Sequence, residues 1–313
     1  MDHISPGDSA TAAAADAVAD SADVLTRTHE DKPELLNGRY ELFIDRQLGE
    51  GACGKVVLAI DHGNRGQKVA IKILDTSGHC SEFQQEVMRE AVFGTEIPYH
   101  PNVLQTLDSF LIGHNFYIVM ELVEGKSFDV YMHETKLNPK TQSNYLAILY
   151  QMALAIAHLH ANRIVHRDIK PANFIVSQNP DGSIHVKLID FGLSNPFDLV
   201  EQAAVGTPYF MSPQVAEWIG IDEKCDEWAF GVLILLILTK EKTPLYLKIT
   251  KNSDQAIALI RNLTVNPFPV RFTKDKDPMF VLFATIARRC LEIKPSMRPS
   301  AAEIAERLSA FKA

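Results

Sequence analysis

His166-Arg167-Asp168-Ile169-Lys170-Pro171-Ala172-Asn173, followed by Asp190-Phe191-Gly192, decides the reading of this chain. The first stretch places a carboxylate, an ammonium and an amide within six residues, and the second adds a carboxylate beside a glycine. A carboxylate can orient a hydroxyl. An amide oxygen and a second carboxylate can share divalent cations with a nucleoside triphosphate. The competing reading is a capped turn with a chance acidic cluster, so the rest of the chain has to decide.

Upstream, Gly49-Glu50-Gly51-Ala52-Cys53-Gly54-Lys55-Val56 fits the pattern G-x-G-x-x-G-x-V. Glycines let a backbone approach phosphates without side-chain clash. A dinucleotide-binding fold must be weighed, because Asp75 lies about where a ribose-binding acid belongs. That fold needs a helix after the glycines, whereas Val56-Val57-Leu58-Ala59-Ile60 reads as a strand. A Walker-type loop fails as well, since Gly54-Lys55 is followed by Val56 rather than Ser or Thr. Val69-Ala70-Ile71-Lys72 then sets a lysine in an apolar strand, where its charge needs partners.

Taken in order, the glycine stretch, V-A-I-K, H-R-D-x-K-x-x-N and D-F-G resemble the eukaryotic-type protein kinase family, serine/threonine branch. The resemblance covers about residues 38–313. It implies an α+β, bilobal protein-kinase fold, with a small β-rich N-lobe holding one helix (38–123) and a larger helical C-lobe (124–313). It implies an ATP-dependent kinase that uses two magnesium ions and a protein substrate bearing Ser or Thr. By resemblance, Asp168 accepts or orients the hydroxyl proton, Lys170 stabilises the transferring phosphoryl, and Asn173 and Asp190 hold the metal. Lys72 would pair with the α- and β-phosphates and with Glu90, Glu86 being the rival. Gly49, Glu50, Gly51, Ala52, Cys53 and Gly54 would cover the phosphates. Val56, Ala70 and Ile175 would enclose adenine, Met120 would lie behind it, and the backbone of Glu121 and Val123 would meet its edge.

The chain departs from the family in places. One turn after Glu90 stands Gly94, where an apolar residue is usual. The usual A-P-E ending reads Ser212-Pro213-Gln214, so the glutamate that pairs with a buried arginine, Arg298 here, is an amide. Breaking a buried ion pair costs about 3–5 kcal/mol, but Gln214 can still accept a hydrogen bond. This departure keeps alive a pseudokinase scaffold reading; a small-molecule kinase ranks below it. Asn195 through Gly206 contains no Ser, Thr or Tyr, so no phosphate can form there to meet Arg167. The expectation is a segment ordered without phosphorylation, with Glu201 or Asp198 near Arg167. Positions that carry acids in arginine-seeking members are Ser127, Ala172 and Leu236, so no strong demand for arginine is expected. Lys170 and Thr207 follow the serine/threonine pattern.

Composition agrees with a globular chain: 46% hydrophobic and 22% charged over 313 residues. Net charge is −8, of which −6 falls in residues 1–37. That acidic, alanine-rich segment buries too little to offset its ordering entropy and reads as a solvated terminus, or else a tail that binds a regulator. No basic surface for nucleic acid stands out. The longest apolar run, Trp228 to Leu238, is about half a membrane span and reads as a core helix. Four scattered cysteines give no metal spacing, and no secretion signal opens the chain, so a cytoplasmic protein with reduced thiols is expected. His158 and His160 read as packed or exposed residues, and Cys53 as an incidental small one. A capping box at Ser81 and Gln84, a helix start at Asn138-Pro139 and a second box at Ser300 and Glu303 complete the pattern.

Overall fold

The computed structural model describes residues 35–51, 54–77, 95–199, 205–269, 272 and 277–311. Ala52, Cys53, Ser81, Glu86, Glu90, Gly94 and Glu201, together with the acidic tail up to residue 34, lie outside the described residues. Two compact units emerge: one runs to Tyr99 and resumes over Leu104–Ser127, and the other joins His100–Val103 to the chain from Phe128 onward.

The first unit is a five-stranded antiparallel sheet. Its strands are β1 (Tyr40–Gly51), β2 (Gly54–Asp61), β3 (Gln67–Asp75), β4 (Thr106–Ile112) and β5 (Asn115–Glu121), in the order β1-β2-β3-β5-β4. A two-residue strand β6 (Lys126–Ser127) ends the unit. Successive side chains of these strands point to opposite faces. Tyr40, Val57, Ala59, Val69, Ile71, Tyr117 and Val119 pack together on one. Leu74, Phe116 and Ile118, with Met120 against them, form a cluster on the other. Register puts Val56 opposite Lys72, and Ala70 opposite Met120. Gly54 begins β2 where an added Cβ would collide with the Ile73 carbonyl. The third glycine of the motif is therefore demanded by strand pairing, whatever it does for a ligand.

The second unit is mainly helical. Among the described residues its helices are α1 (Phe128–Glu134), α2 (Gln142–Ala161), α3 (Pro213–Glu217), α4 (Lys224–Thr239), α5 (Ser253–Arg261), α6 (Pro278–Cys290) and α7 (Ala301–Ser309). Strands β7 (Ile164–Val165), β8 (Phe174–Gln178), β9 (Ile184–Leu188) and β10 (Asn195–Pro196) lie between α2 and α3. The apolar face Tyr145, Leu149, Met152, Ile156 and Leu159 of α2 is buried, as its spacing requires. From Cys225 to Leu238, α4 is buried on every side, which makes it the core helix. No described helix is long and apolar enough to cross a membrane. The capping box of Ser300 and Glu303 opens α7.

The start foreseen at Asn138-Pro139 is corrected: α2 begins at Gln142. The Asn138 side chain accepts from the Lys140 N–H at 2.8 Å, closing a turn of its own. Thr141, the residue before the helix, donates its hydroxyl to the Lys136 carbonyl at 2.9 Å instead of capping.

Two buried polar groups hold this unit in register. Asp226, at the start of α4, is 1% exposed and accepts from the backbone N–H of His166 (2.8 Å) and Arg167 (2.9 Å). His160 lies 2.9 Å from Asp226 and 3.3 Å from Glu227. The expectation of a merely packed or exposed His160 is therefore corrected: it carries the counter-charge to two buried acids. Arg298, stacked on Trp228 at 4.9 Å, donates to Gln214 Oε1 (2.7 Å) and to the carbonyls of Lys224, Glu292 and Ile293. Gln214 Nε2 in turn donates to Asp222 at 3.1 Å. The amide thus stands between the guanidinium and the carboxylate. Burial presses the Arg298 pKa down to about 10.

These contacts generate two predictions. Burial opposes the charge on His160, but the bonds to Asp226 and Glu227 outweigh it and push its pKa from 6.5 up to about 10. Burial likewise works against the Asp226 carboxylate, yet His160 holds its pKa below 3.8. The histidine's contribution is complete below its unfolded pKa and is lost as pH rises toward about 10; the aspartate's is lost only in acid. Urea midpoints of wild type and His160→Gln should differ most near pH 6 and converge toward pH 10; a constant gap would contradict the pairing. Gln214→Ala should cost about 1–3 kcal/mol. Gln214→Glu should gain over wild type only when combined with Asp222→Asn, because Asp222 would otherwise face a second carboxylate; denaturation of the four proteins measures this.

Candidate functional site

The stretch from His166 to Asn173 lies between β7 and β8, pinned from behind by Asp226. Pinning fixes an unusual backbone at Arg167, whose φ is 69°; Asp190, with φ 67°, is left-handed as well. His166 Nδ1 accepts from the Asp168 N–H at 3.2 Å. The His166 ring also meets the Phe191 ring edge-on at 5.8 Å, so the two quoted stretches pack together.

Asp168, Lys170 and Asn173 converge. Asp168 and Lys170 are 6% and 5% exposed, and Asn173 is fully buried. Lys170 Nζ lies 2.8 Å from Asp168 Oδ2. Asn173 Nδ2 donates to the Asp168 carbonyl at 2.9 Å and to its Oδ2 at 3.2 Å. The other oxygen, Oδ1, accepts from the Thr207 hydroxyl at 2.8 Å and the Thr207 N–H at 3.0 Å. Lys170 Nζ also reaches the Thr207 hydroxyl at 3.1 Å. Both oxygens of this buried carboxylate are therefore met by donors.

Thr207 reaches Asp168 because Gly206 precedes it. Gly206 has φ +102°, and a Cβ there would stand 2.5 Å from the Arg167 carbonyl. Only glycine combines that dihedral with so close an approach.

Asp190 follows β9, and its Oδ1 accepts from the Gly192 N–H at 3.3 Å. Ile175 is buried on β8. Gly49, Glu50, Gly51, Gly54, Val56, Ala70, Lys72, Met120, Glu121 and Val123 belong to the first unit. Val56, Ala70, Lys72 and Met120 share one face of its sheet through the register of β2, β3 and β5. The Glu121 N–H is taken by the Gln105 carbonyl at 3.1 Å, and its side chain accepts from the Gln105 N–H at 2.9 Å.

The expected acidic neighbour of Arg167 is corrected for Asp198. That side chain binds Arg163 Nη2 at 2.8 Å. The other candidate, Glu201, lies outside the described residues. Asn195, with its amide oriented to suit both neighbours, donates to the Ser194 carbonyl at 3.2 Å and accepts from Arg167 Nη1 at 2.5 Å. Asn195 is held by β10, paired with Val165 of β7. Sequence reasoning missed Asn195 and Asp226. For Asp226 a signal existed, an acid two residues before Trp228 at the mouth of an apolar run; for Asn195 none did.

The family model of the protein kinase domain matches residues 42–308. Serine/threonine-protein kinase DCLK1 of Rattus norvegicus is 32% identical over 206 residues, 66% of this chain and 46% of that protein. Serine/threonine-protein kinase DCLK2 of Homo sapiens is 33% identical over 196 residues, 62% of this chain and 25% of that protein. The matched part thus spans less than half the length of either relative. With the match running through both units and every motif described above, the chain belongs to the protein kinase family.

Proposed function

We propose that this chain is an ATP-dependent protein serine/threonine kinase, active without a phosphate on the segment between Asp190 and Gln214. One observation carries the reading: a threonine hydroxyl, that of Thr207, rests on Asp168 Oδ1 and Lys170 Nζ together. A carboxylate and an ammonium that hold one aliphatic hydroxyl suit a substrate hydroxyl brought beside them. Family membership supports ATP and divalent metal in general, and likeness to two serine/threonine-protein kinases supports Ser/Thr specificity.

In this reading Asp168 orients the acceptor hydroxyl and takes its proton, and Lys170 neutralises charge on the moving phosphoryl group. Asn173 keeps Asp168 in place through its amide nitrogen, and its amide oxygen is the atom chemically suited to a cation. Asn173 and Asp190 offer oxygen donors only, the chemistry magnesium prefers. Among the described residues no group of three His, Cys, Asp or Glu side chains forms a metal cage, which fits an ion completed by phosphates and water. Magnesium bound there would supply charge neutralisation on the nucleotide. Lys72 lies on the same sheet face as Val56, Ala70 and Met120, a fit to phosphate next to a flat apolar ring. Any contribution of Glu121 to that ring's edge comes through its carbonyl, since its N–H is engaged.

Gln214 does not favour the scaffold reading. Arg298 keeps side-chain and carbonyl partners on all three nitrogens. Asn195 seats Arg167 without phosphate.

Phosphatase-treated protein from bacteria, given ATP, magnesium and generic protein substrates, should incorporate phosphate on Ser or Thr. Asp168→Asn and Lys72→Met should lower the rate by about 10²–10⁴; equal incorporation by all three would trace it to contamination. ATP binding without transfer by wild type would overturn the proposal. Gly206→Ala should displace Thr207 and cut the rate at least tenfold, with some loss of thermal stability from the strained dihedral and the clash with the Arg167 carbonyl; unchanged kinetics would separate Thr207 from function.

A further inference from the structure

Lys240-Glu241-Lys242-Thr243-Pro244-Leu245-Tyr246-Leu247-Lys248-Ile249-Thr250-Lys251 holds four lysines and one glutamate in a chain whose net charge is −8. The stretch follows α4 and is folded back on itself. Lys240 takes a left-handed turn, φ 58°, and the carbonyl end of α4 favours a cation there. Leu247, fully buried, anchors a short 3-10 turn over Leu245–Leu247. That anchor returns Lys248 to Glu241, Nζ to Oε1 at 2.6 Å. The Thr250 hydroxyl closes the end by donating to the Leu247 carbonyl at 2.6 Å.

This fold-back walls an open cavity of about 360 Å³ whose lining includes Tyr209, Lys240, Glu241, Lys242, Lys248 and Thr250. Three lysines against one glutamate leave an excess of two positive charges around it. Its position is as informative as its charge. Tyr209 lies in the turn Pro208–Phe210, two residues after Thr207, whose hydroxyl sits on Asp168. Two residues of chain span at most roughly 7 Å, so the Tyr209 wall of the cavity stays within that backbone reach of Thr207.

We propose that this cavity binds an anionic side chain of the protein substrate, Asp, Glu or a phosphorylated residue, within about four residues of the acceptor, a reach set by chain length. The proposal rests on the kinase reading of Asp168 and names the substrate class it takes. Lys242 and Lys248 contact the anion, and Lys240 adds charge from the helix end. The side chain enters as a charge among hydrated lysines, so the preference weakens with salt.

The test uses peptides with one acceptor serine and a neutral, aspartate or phosphoserine residue scanned through four places on either side. On one side the anionic peptides should show a kcat/KM about three- to tenfold above the neutral one, the range for partly exposed charge pairs. In Lys242→Ala/Lys248→Ala the ratio should fall toward one, and in Lys242→Glu/Lys248→Glu it should invert. Lys136→Ala, at an exposed lysine that does not line the cavity, should keep it. Preference for phosphoserine alone identifies a phosphate pocket; equal preference for aspartate identifies a carboxylate pocket. Fluorescence anisotropy of the same peptides separates this inference from the one beneath it. Transfer with no anionic preference, and binding unaltered in the double variant, overturns the cavity and leaves the kinase standing. Anionic peptides that bind through the lysines without being phosphorylated support the cavity and overturn the kinase reading. Neither transfer nor binding overturns both.

Discussion

The Asp226 carboxylate carries the second unit. It is buried, and burying a charge is costly unless hydrogen bonds and an opposite charge surround it. Two backbone N–H groups and His160 do so. Those two N–H groups belong to His166 and Arg167, so satisfying the acid fixes the turn that presents Asp168. The left-handed dihedral at Arg167 is unfavourable alone and persists because Asp226 over-determines it. From that turn follow the bonds of Asp168 to Lys170, Asn173 and Thr207, and from Thr207 the requirement for Gly206. A helix that the sequence presents as core thus also positions chemistry through its first turn.

Much of the molecule was legible in advance for physical reasons. The strands of the first unit were readable as short apolar, β-branched runs, and the sheet sets Lys72 of β3 opposite Val56. The buried face of α2 was readable from spacing. The capping box at Ser300 was local chemistry, and local chemistry survives folding. The start of α2 was misplaced because Asn138 can close a turn of its own as readily as cap a helix.

The partner of Arg167 was harder to foresee. Of the two acids that the sequence offers, Asp198 binds Arg163 and Glu201 lies outside the described residues, whereas the neutral Asn195 is seated by strand pairing between β10 and β7. Long-range placement of an uncharged side chain leaves no sequence signature. His160 was underestimated for the same reason: its two acids lie 66 and 67 positions further along the chain. Glycines gave a different lesson. Gly54 belongs to a phosphate-loop pattern, yet the Ile73 carbonyl alone would forbid a side chain there. A motif position can satisfy a packing demand and a chemical one at once, and only the neighbours distinguish them.

The amide at position 214 alters how the fold meets acid. A carboxylate facing Arg298 would take up a proton as the medium soured, and the tether would slacken. An amide has nothing to titrate. Burial raises the Asp222 carboxyl above its ordinary range, so that acid neutralises early. The Gln214 oxygen nevertheless keeps its hold on the guanidinium. The chain therefore surrenders a counter-ion and acquires a link between α3 and the residues before α7 that is indifferent to proton concentration.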